Sequence, residues 1–205
     1  MSAIAEKPAG PVKRTLRQIK RRVFSRGYLD RVVPGAEIGK LLAGLPLHQM
    51  DALEISGEAF GRYGFRSFRS AKFPEFDICT TQLPEQFDII IAEQVFEHLL
   101  WPYRAARNVY AMLRPGGYFL LQTPFLLKVH NFPVDCSRWT EVGLRHFLAE
   151  CGFQLDRIKA GSWGNRMAAR ANLGRKGFPL YHPLLHWNLD NDPLFPVQVW
   201  ALAQK

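Results

Sequence analysis

Three consecutive isoleucines, Ile89, Ile90 and Ile91, sit inside the stretch FDIIIAEQ that runs from Phe87 to Gln94. Strand side chains alternate between two faces, so an unbroken apolar run demands cover on both. A helical period follows: in PYRAARNVYAML, Tyr103, Ala106, Val109, Tyr110 and Leu113 share one face. RPGG, Arg114 to Gly117, predicts the end of that helix and a turn into YFLLQT, a further buried strand. Buried strand, helix, buried strand implies a parallel α/β sheet with helices on both faces.

The rest of the chain extends this pattern. Ala52 to Ser56 reads as the first strand and Ser67 to Phe73 as the second, stopped by Pro74. Little room is left for a helix between Phe60 and Ser67. EIGKLLAGLP, Glu37 to Pro46, predicts a short helix ended by glycine and proline. After a long loop, Pro124 to Trp139, Thr140 is placed to cap EVGLRHFLAEC and Gly152 to end it. FQLDRIKA and PVQVWALAQ complete the strands, separated by an irregular insertion at about 161–196, rich in proline, histidine and tryptophan.

Net charge is +9, and its distribution is uneven. In VKRTLRQIKRRVFSRGYLDR, Val12 to Arg31, Asp30 is the sole acid, while Val12, Leu16, Ile19 and Val23 line one helical face. Two readings stand: a basic amphipathic helix touching an anionic membrane or an acidic partner, or a packed helix with a solvated basic side. Nucleic acid is not the expected partner. Residues 1–35 are therefore set apart as a basic tail and helix, and 36–205 as the main domain. The cysteines, Cys79, Cys136 and Cys151, are odd in number and lack metal-ligand spacing, which suits a reducing compartment. With no signal-peptide pattern and no apolar run of about 20 residues, a cytoplasmic protein is expected, with peripheral membrane contact as the basic helix's contribution.

Open sheets of this kind bind ligands beyond the carboxyl ends of their strands. That rule selects the residues after Ile55, near Phe73, after Ala92 and after Thr123. The first of these segments, DALEISGEAFGRYGF, departs from a dinucleotide fingerprint, with Ser56, Glu58 and Phe60 interleaved among Gly57, Gly61 and Gly64.

FDIIIAEQVFEHL followed by LRPGGYFLLQTPF resembles the class I S-adenosylmethionine-dependent methyltransferases, and HNFPVDCSRWTEVGL is similar to their acceptor-side segment. The resemblance runs from about residue 50 to 160, plus the final strand. It implies a Rossmann-like, seven-stranded, mostly parallel sheet whose last strand is antiparallel. It also implies S-adenosylmethionine as cofactor, lying over the first two strands, and methyl transfer to a small-molecule or glycan-like acceptor, with O-methylation expected. By the resemblance, Glu54 is the acid of the first motif, Ser56 and Gly57 occupy its glycine turn, and Glu58 stands where a small residue is usual. Lys72 stands where the family places a ribose-binding acid; lysine cannot accept a hydrogen bond, which passes the role to Glu75. Thr80 and Thr81 fall where an acid often meets the adenine. Glu93 and Gln94 border the cofactor.

Donor reactivity leaves the enzyme the tasks of alignment and of removing a proton from the acceptor. His98 and His130 are the candidate bases, since both lie in loops at the ligand edge. Asp135, Arg138 and Trp139 are candidate acceptor contacts, with mutual pairing or helix capping as the competing reading for the first two. Glu97 and His98 form one adjacent pair, too little to predict a metal site. The competing functional readings are a methyltransferase-fold binding or scaffold protein without transfer activity, and a binder of another nucleotide or sugar nucleotide.

Overall fold

The computed structural model describes residues 27–174 and 178–205. Most of the basic segment, up to residue 26, lies outside them. Its last residues, Asp30 and Arg31, form the first turn of helix α1, Leu29–Ala43, which starts earlier than the predicted Glu37 and ends at Gly44. The boundary drawn at residue 35 thus falls inside α1. That helix packs on the sheet through Leu29, Ile38 and Leu42, all essentially fully buried.

Six strands form one sheet, β1 Asp51–Ile55, β2 Ser67–Ala71, β3 Phe87–Glu93, β4 Leu113–Pro124, β5 Ile158–Trp163 and β6 Gln198–Gln204. Their order is β2-β1-β3-β4-β6-β5. The first four are mutually parallel, and β6 runs antiparallel between β4 and β5. The expected inserted antiparallel last strand is therefore present.

The expected count of seven strands is corrected to six among the described residues. A seventh would have to form beyond β2, from residues 72–86. That segment is too short for a crossover, commonly ten to twelve residues or more, together with a strand. It folds as turns instead and sinks Phe76, Ile78 and Cys79 into the core.

The isoleucine run behaves as its pattern requires. Ile90 joins the core under α2 (Pro102–Met112) and α3 (Glu141–Glu150), with Ala105, Val109, Leu144 and Phe147. Ile89 and Ile91 join the opposite core, under α1 and the short α4 (Arg166–Asn172). All three isoleucines are 0% exposed, each contributing about 1.5–3 kcal/mol of burial before entropy is counted.

The helix ends follow local chemistry. Pro102 opens α2 at its first turn. The Thr140 hydroxyl accepts from the Gly143 N–H at 3.1 Å to start α3, and Gly152, at φ +116°, follows its end. RPGG, expected as a turn, is instead the irregular start of β4, where pairing with β3 jumps from Phe87–Leu113 to Ile89–Tyr118. FQLDRIKA begins with a 3-10 turn, Leu155–Arg157, and the strand itself runs on to Trp163, inside the predicted insertion.

At the opposite edge of the sheet from the strand ends, a charge network fixes β1 to its neighbours. Asp51 accepts from Arg66 Nε at 2.9 Å and Ser67 Oγ at 2.7 Å, with Arg114 Nη2 at 3.1 Å. The Asp51 N–H donates to Asp88 Oδ2 at 2.8 Å. Hydrogen bonds from Arg66 and Ser67 hold the Asp51 carboxyl well below the usual carboxylate range. A depressed folded pKa stabilises the fold above the ordinary carboxylate value, and the contribution is lost as pH falls towards the folded value. We expect Asp51→Asn to flatten the dependence of stability on pH below about pH 4, measured by denaturant unfolding across a pH series.

Candidate functional site

From β1 the chain crosses to β2 on one side and returns to β3 on the other, so strand order reverses between β1 and β3. Open sheets bind ligands at this reversal. Both strands end here in a non-glycine residue with left-handed backbone, Ser56 at φ +59° and Gln94 at φ +56°. Such a conformation costs an L-residue roughly 1–2 kcal/mol, and it clusters where function holds it. The Ser56 N–H donates to Ala71 O at 2.8 Å and the Gln94 N–H to Gln122 O at 2.9 Å. Each ladder thus gains one last bond before the chain turns away.

Glu54 organises the loop after β1. Its carboxylate is 1% exposed and accepts from the Ala59 N–H at 3.1 Å and the Phe60 N–H at 2.8 Å. Burial raises its pKa, and the two backbone donors oppose that shift. Gly57 lies so close that a Cβ there would sit 2.1 Å from Glu54 Oε1. The Gly57 carbonyl in turn accepts from Ser70 Oγ at 2.6 Å. Phe60 turns into the α1-side core and stacks on Tyr63, 5.4 Å between centroids. Lys72 pairs with Glu58, so the misplaced acid and the misplaced base of the sequence neutralise one another across the ends of β1 and β2. Glu75 is exposed in the turn that follows, as are Thr80 and Thr81 in theirs. Phe60 is thus committed to the core and Lys72 to Glu58.

The end of β3 is held by the start of α1. Glu93 pairs with Arg31. Gln94 Nε2 donates to Gln198 Oε1 at 2.7 Å, and Gln198 Nε2 donates to Asp30 Oδ2 at 2.8 Å. Burial raises the Asp30 pKa against the pull of Arg31. Arg31, Asp30 and Gln198 escaped the sequence reading: the first two were submerged in a basic run, and Gln198 looked like one more strand residue.

Beyond β3 and β4 the structure brings His98 and His130 together, with ring centroids 4.8 Å apart. His98 lies in the 3-10 turn Phe96–His98, its Nδ1 against the Val134 carbonyl. His130 Nδ1 lies 3.3 Å from Asp135 Oδ2 and 3.4 Å from Arg138 Nη2. Asp135 and Arg138 pair with each other, Nη2 to Oδ2 at 2.6 Å. Burial works to raise the Asp135 pKa, but Arg138 and the His130 N–H outweigh it and the net shift is downward. Burial also lowers the His130 pKa, against the attraction of Asp135. Trp139 packs on Phe147 at 5.0 Å, half-buried over the α3 core.

Glu97 completes this group. It is 0% exposed and neither carboxylate oxygen has a hydrogen-bond partner, with His98 Nε2 3.6 Å from Oε1. Burial pushes its pKa up to about 7. Its adjacency to His98 was visible in the sequence; its burial beside His130 was not.

The insertion divides in two. Trp163 is core, donating from Nε1 to Leu189 O at 2.9 Å. Trp187 is exposed and lines a groove of about 440 Å³ with Asn165, Arg166, Asn188, Asp190 and Asp192.

A family model described as a methyltransferase domain matches residues 34–119. An S-adenosylmethionine-dependent methyltransferase from Mesorhizobium loti superposes with a TM-score of 0.56 at 16% identity, covering 83% of this chain and 98% of that one. A Thermotoga maritima methyltransferase, described as a possible histamine N-methyltransferase, gives 0.57 at 14% identity, with 93% and 95% covered. An Archaeoglobus fulgidus methyltransferase gives 0.52 at 11% identity, with 93% and 99% covered. At these identities the structural likeness is one of fold. Among curated proteins, no sequence matches the chain. Residues 34–119 thus match a methyltransferase-domain model, and the fold of the chain is that of S-adenosylmethionine-dependent methyltransferases.

The domain match spans β1 to β3 and ends within β4, so it contains the strand-reversal crevice, while His130, Asp135 and Arg138 lie beyond it. Gly57→Ala tests the crevice. Overpacking costs of about 1–3 kcal/mol predict cofactor binding weaker by roughly tenfold or more, measured by calorimetry with S-adenosylmethionine and its demethylated product.

Proposed function

We propose that this methyltransferase domain alkylates an oxygen of a small or glycan-like acceptor, with the Glu97–His98–His130 group acting on the acceptor's proton. The observation that carries the reading is the pair of imidazoles, from the loops after β3 and β4, packed at 4.8 Å beside a buried carboxyl. An alcohol holds its proton at neutral pH, so an oxygen acceptor needs a base, whereas no such cluster is needed to seat the cofactor alone.

Glu54, Ser56, Gly57, Glu58, Glu75, Glu93 and Gln94 are the residues proposed to hold the cofactor. When bound, it supplies a methyl group on a positively charged sulfur. Within this reading the loop of Glu54 brings backbone close, and Glu58, Glu75 and Glu93 offer acceptors to ribose hydroxyls. His130 keeps a neutral ring suited to accepting a proton, because its burial lowers the pKa. Asp135 and Arg138 act on His130 as positioning residues. Support for a glycan-like acceptor comes from the groove beside Trp187, where an aromatic face stands among amide and carboxylate side chains. The basic segment before residue 27 is proposed as a peripheral contact for an anionic surface; deleting residues 1–26 should abolish vesicle association and leave cofactor binding intact.

Replacing His98 or His130 with alanine is expected to lower turnover by about 10²–10⁴-fold, the usual contribution of acid–base help, with the cofactor Kd changed less than threefold or so. The assay follows methyl incorporation from labelled donor into a panel of hydroxylated small molecules and saccharides. Full turnover in both variants would remove the proton-transfer role. A wild-type protein that binds cofactor yet methylates nothing across a broad panel would favour the scaffold reading.

A further inference from the structure

We propose that Glu97, His98 and His130 form a binding site for one divalent transition-metal ion. One donor atom from each of the three lies within 4.8 Å of the others. Glu97 is the decisive member. A carboxylate withdrawn wholly from water and left without a hydrogen bond is among the costliest arrangements a fold can carry. Both Glu97 oxygens are in that state, and a cation relieves it.

The histidines are oriented as ligands. The Val134 carbonyl against His98 Nδ1 can only accept, so Nδ1 carries the proton and Nε2 presents a lone pair, 3.6 Å from Glu97 Oε1. His130 has Asp135 Oδ2 at 3.3 Å from its own Nδ1, the shorter of two contacts there, and Arg138, whose Nη2 is 3.4 Å from the same nitrogen, holds that carboxylate in place. A carboxylate behind a histidine is the usual outer support of a metal ligand. Loading the site selects the His130 tautomer whose Nδ1–H faces Asp135, and Nε2 is left for the ion. The two loops that bring the ligands are joined below it, since the Cys136 and Ser137 N–H groups both donate to the Glu97 carbonyl, at 2.7 Å and 3.2 Å.

Two imidazoles and one carboxylate set the metal class. Magnesium and calcium favour oxygen-only shells, whereas imidazole suits zinc, iron and their neighbours. Bonds of about 2.0–2.2 Å place tetrahedral donors roughly 3.4 Å apart, so the widest pair closes by an ångström or so through rotation of the rings. Three protein ligands leave at least one position for an oxygen donor. Resting on the oxygen-transfer reading above, the ion would lower the pKa of a coordinated acceptor hydroxyl, which then gives its proton to solvent. The imidazoles then promote that proton's loss through the metal rather than by taking it themselves.

The test uses the untagged full-length chain, stripped with a chelator and titrated with Zn²⁺, Mn²⁺ and Mg²⁺ by calorimetry. One saturable Zn²⁺ site is expected, with Mg²⁺ at least a hundredfold weaker. Glu97→Gln, His98→Ala and His130→Ala should each weaken Zn²⁺ by a hundredfold or more, while the exposed-surface control His48→Ala leaves it unchanged. Thermal unfolding with and without Zn²⁺ guards against misfolded variants: wild type should gain several degrees and folded ligand variants none. Absence of a saturable Zn²⁺ site, or its survival in all three variants, would overturn the proposal. Zn²⁺ binding without methylation of any acceptor would support the metal site and count against the oxygen-transfer reading alone. Full transfer activity by the stripped enzyme would leave the histidines as direct bases and sink the catalytic use of the metal.

Discussion

Everything in this molecule depends on β3 being buried on both faces. Ile89 and Ile91 seal the core beneath α1 and α4, and Ile90 seals the one beneath α2 and α3. A strand covered in this way cannot slip by one residue, because a slip would exchange the two sets of side chains between differently shaped cores. Register is therefore fixed to β1 on one side and β4 on the other. The polar residues at its exit, from Glu93 to His98, are delivered to fixed places by an entirely apolar constraint. Chemistry at the edge is positioned by packing in the middle.

That division explains how much was legible. Strand and helix identities follow from periodicities of two and 3.6, which act over a few residues, and β3, α2 and α3 emerge nearly at their true limits. The seventh strand was an inference from resemblance that the short segment 72–86 has no room to fulfil. RPGG reads as a turn because glycine and proline usually punctuate; here they make an irregular strand start instead, with Gly117 passing close to the Phe87 and Asp88 carbonyls. His98 and His130 were each visible as loop histidines at the correct edge. Their meeting with Glu97 was not visible, since it depends on how the loop after β4 folds back over the turn after β3, and no local rule encodes that.

The start of α1 shows a different kind of illegibility. Residues 12–31 read as uniformly basic, which hides the fact that Asp30 faces inward while Arg31 reaches Glu93. A buried aspartate is tolerated here because Gln198 satisfies one of its oxygens, and Gln198 in turn anchors Gln94. One polar chain thus links the first helix, the last strand and the left-handed residue at the end of β3. Elements from opposite ends of the sequence thus meet at Gln94, whose own N–H is bonded to Gln122 of β4.

The loop after β1 follows the same logic by other means. A glycine-rich turn brings backbone near a ligand by removing side chains from the approach. This chain keeps Glu58 and Phe60 and achieves order by having Glu54 bind the N–H groups of Ala59 and Phe60 from beneath. Once that carboxylate is committed, position 57 alone has no room for a Cβ. Gly64 still needs glycine for its left-handed backbone, at φ +75°, while Glu58 pairs with Lys72. The acid at the end of β1 thus orders the loop from below, through the Ala59 and Phe60 N–H groups, while the loop itself carries the larger side chains of Glu58 and Phe60.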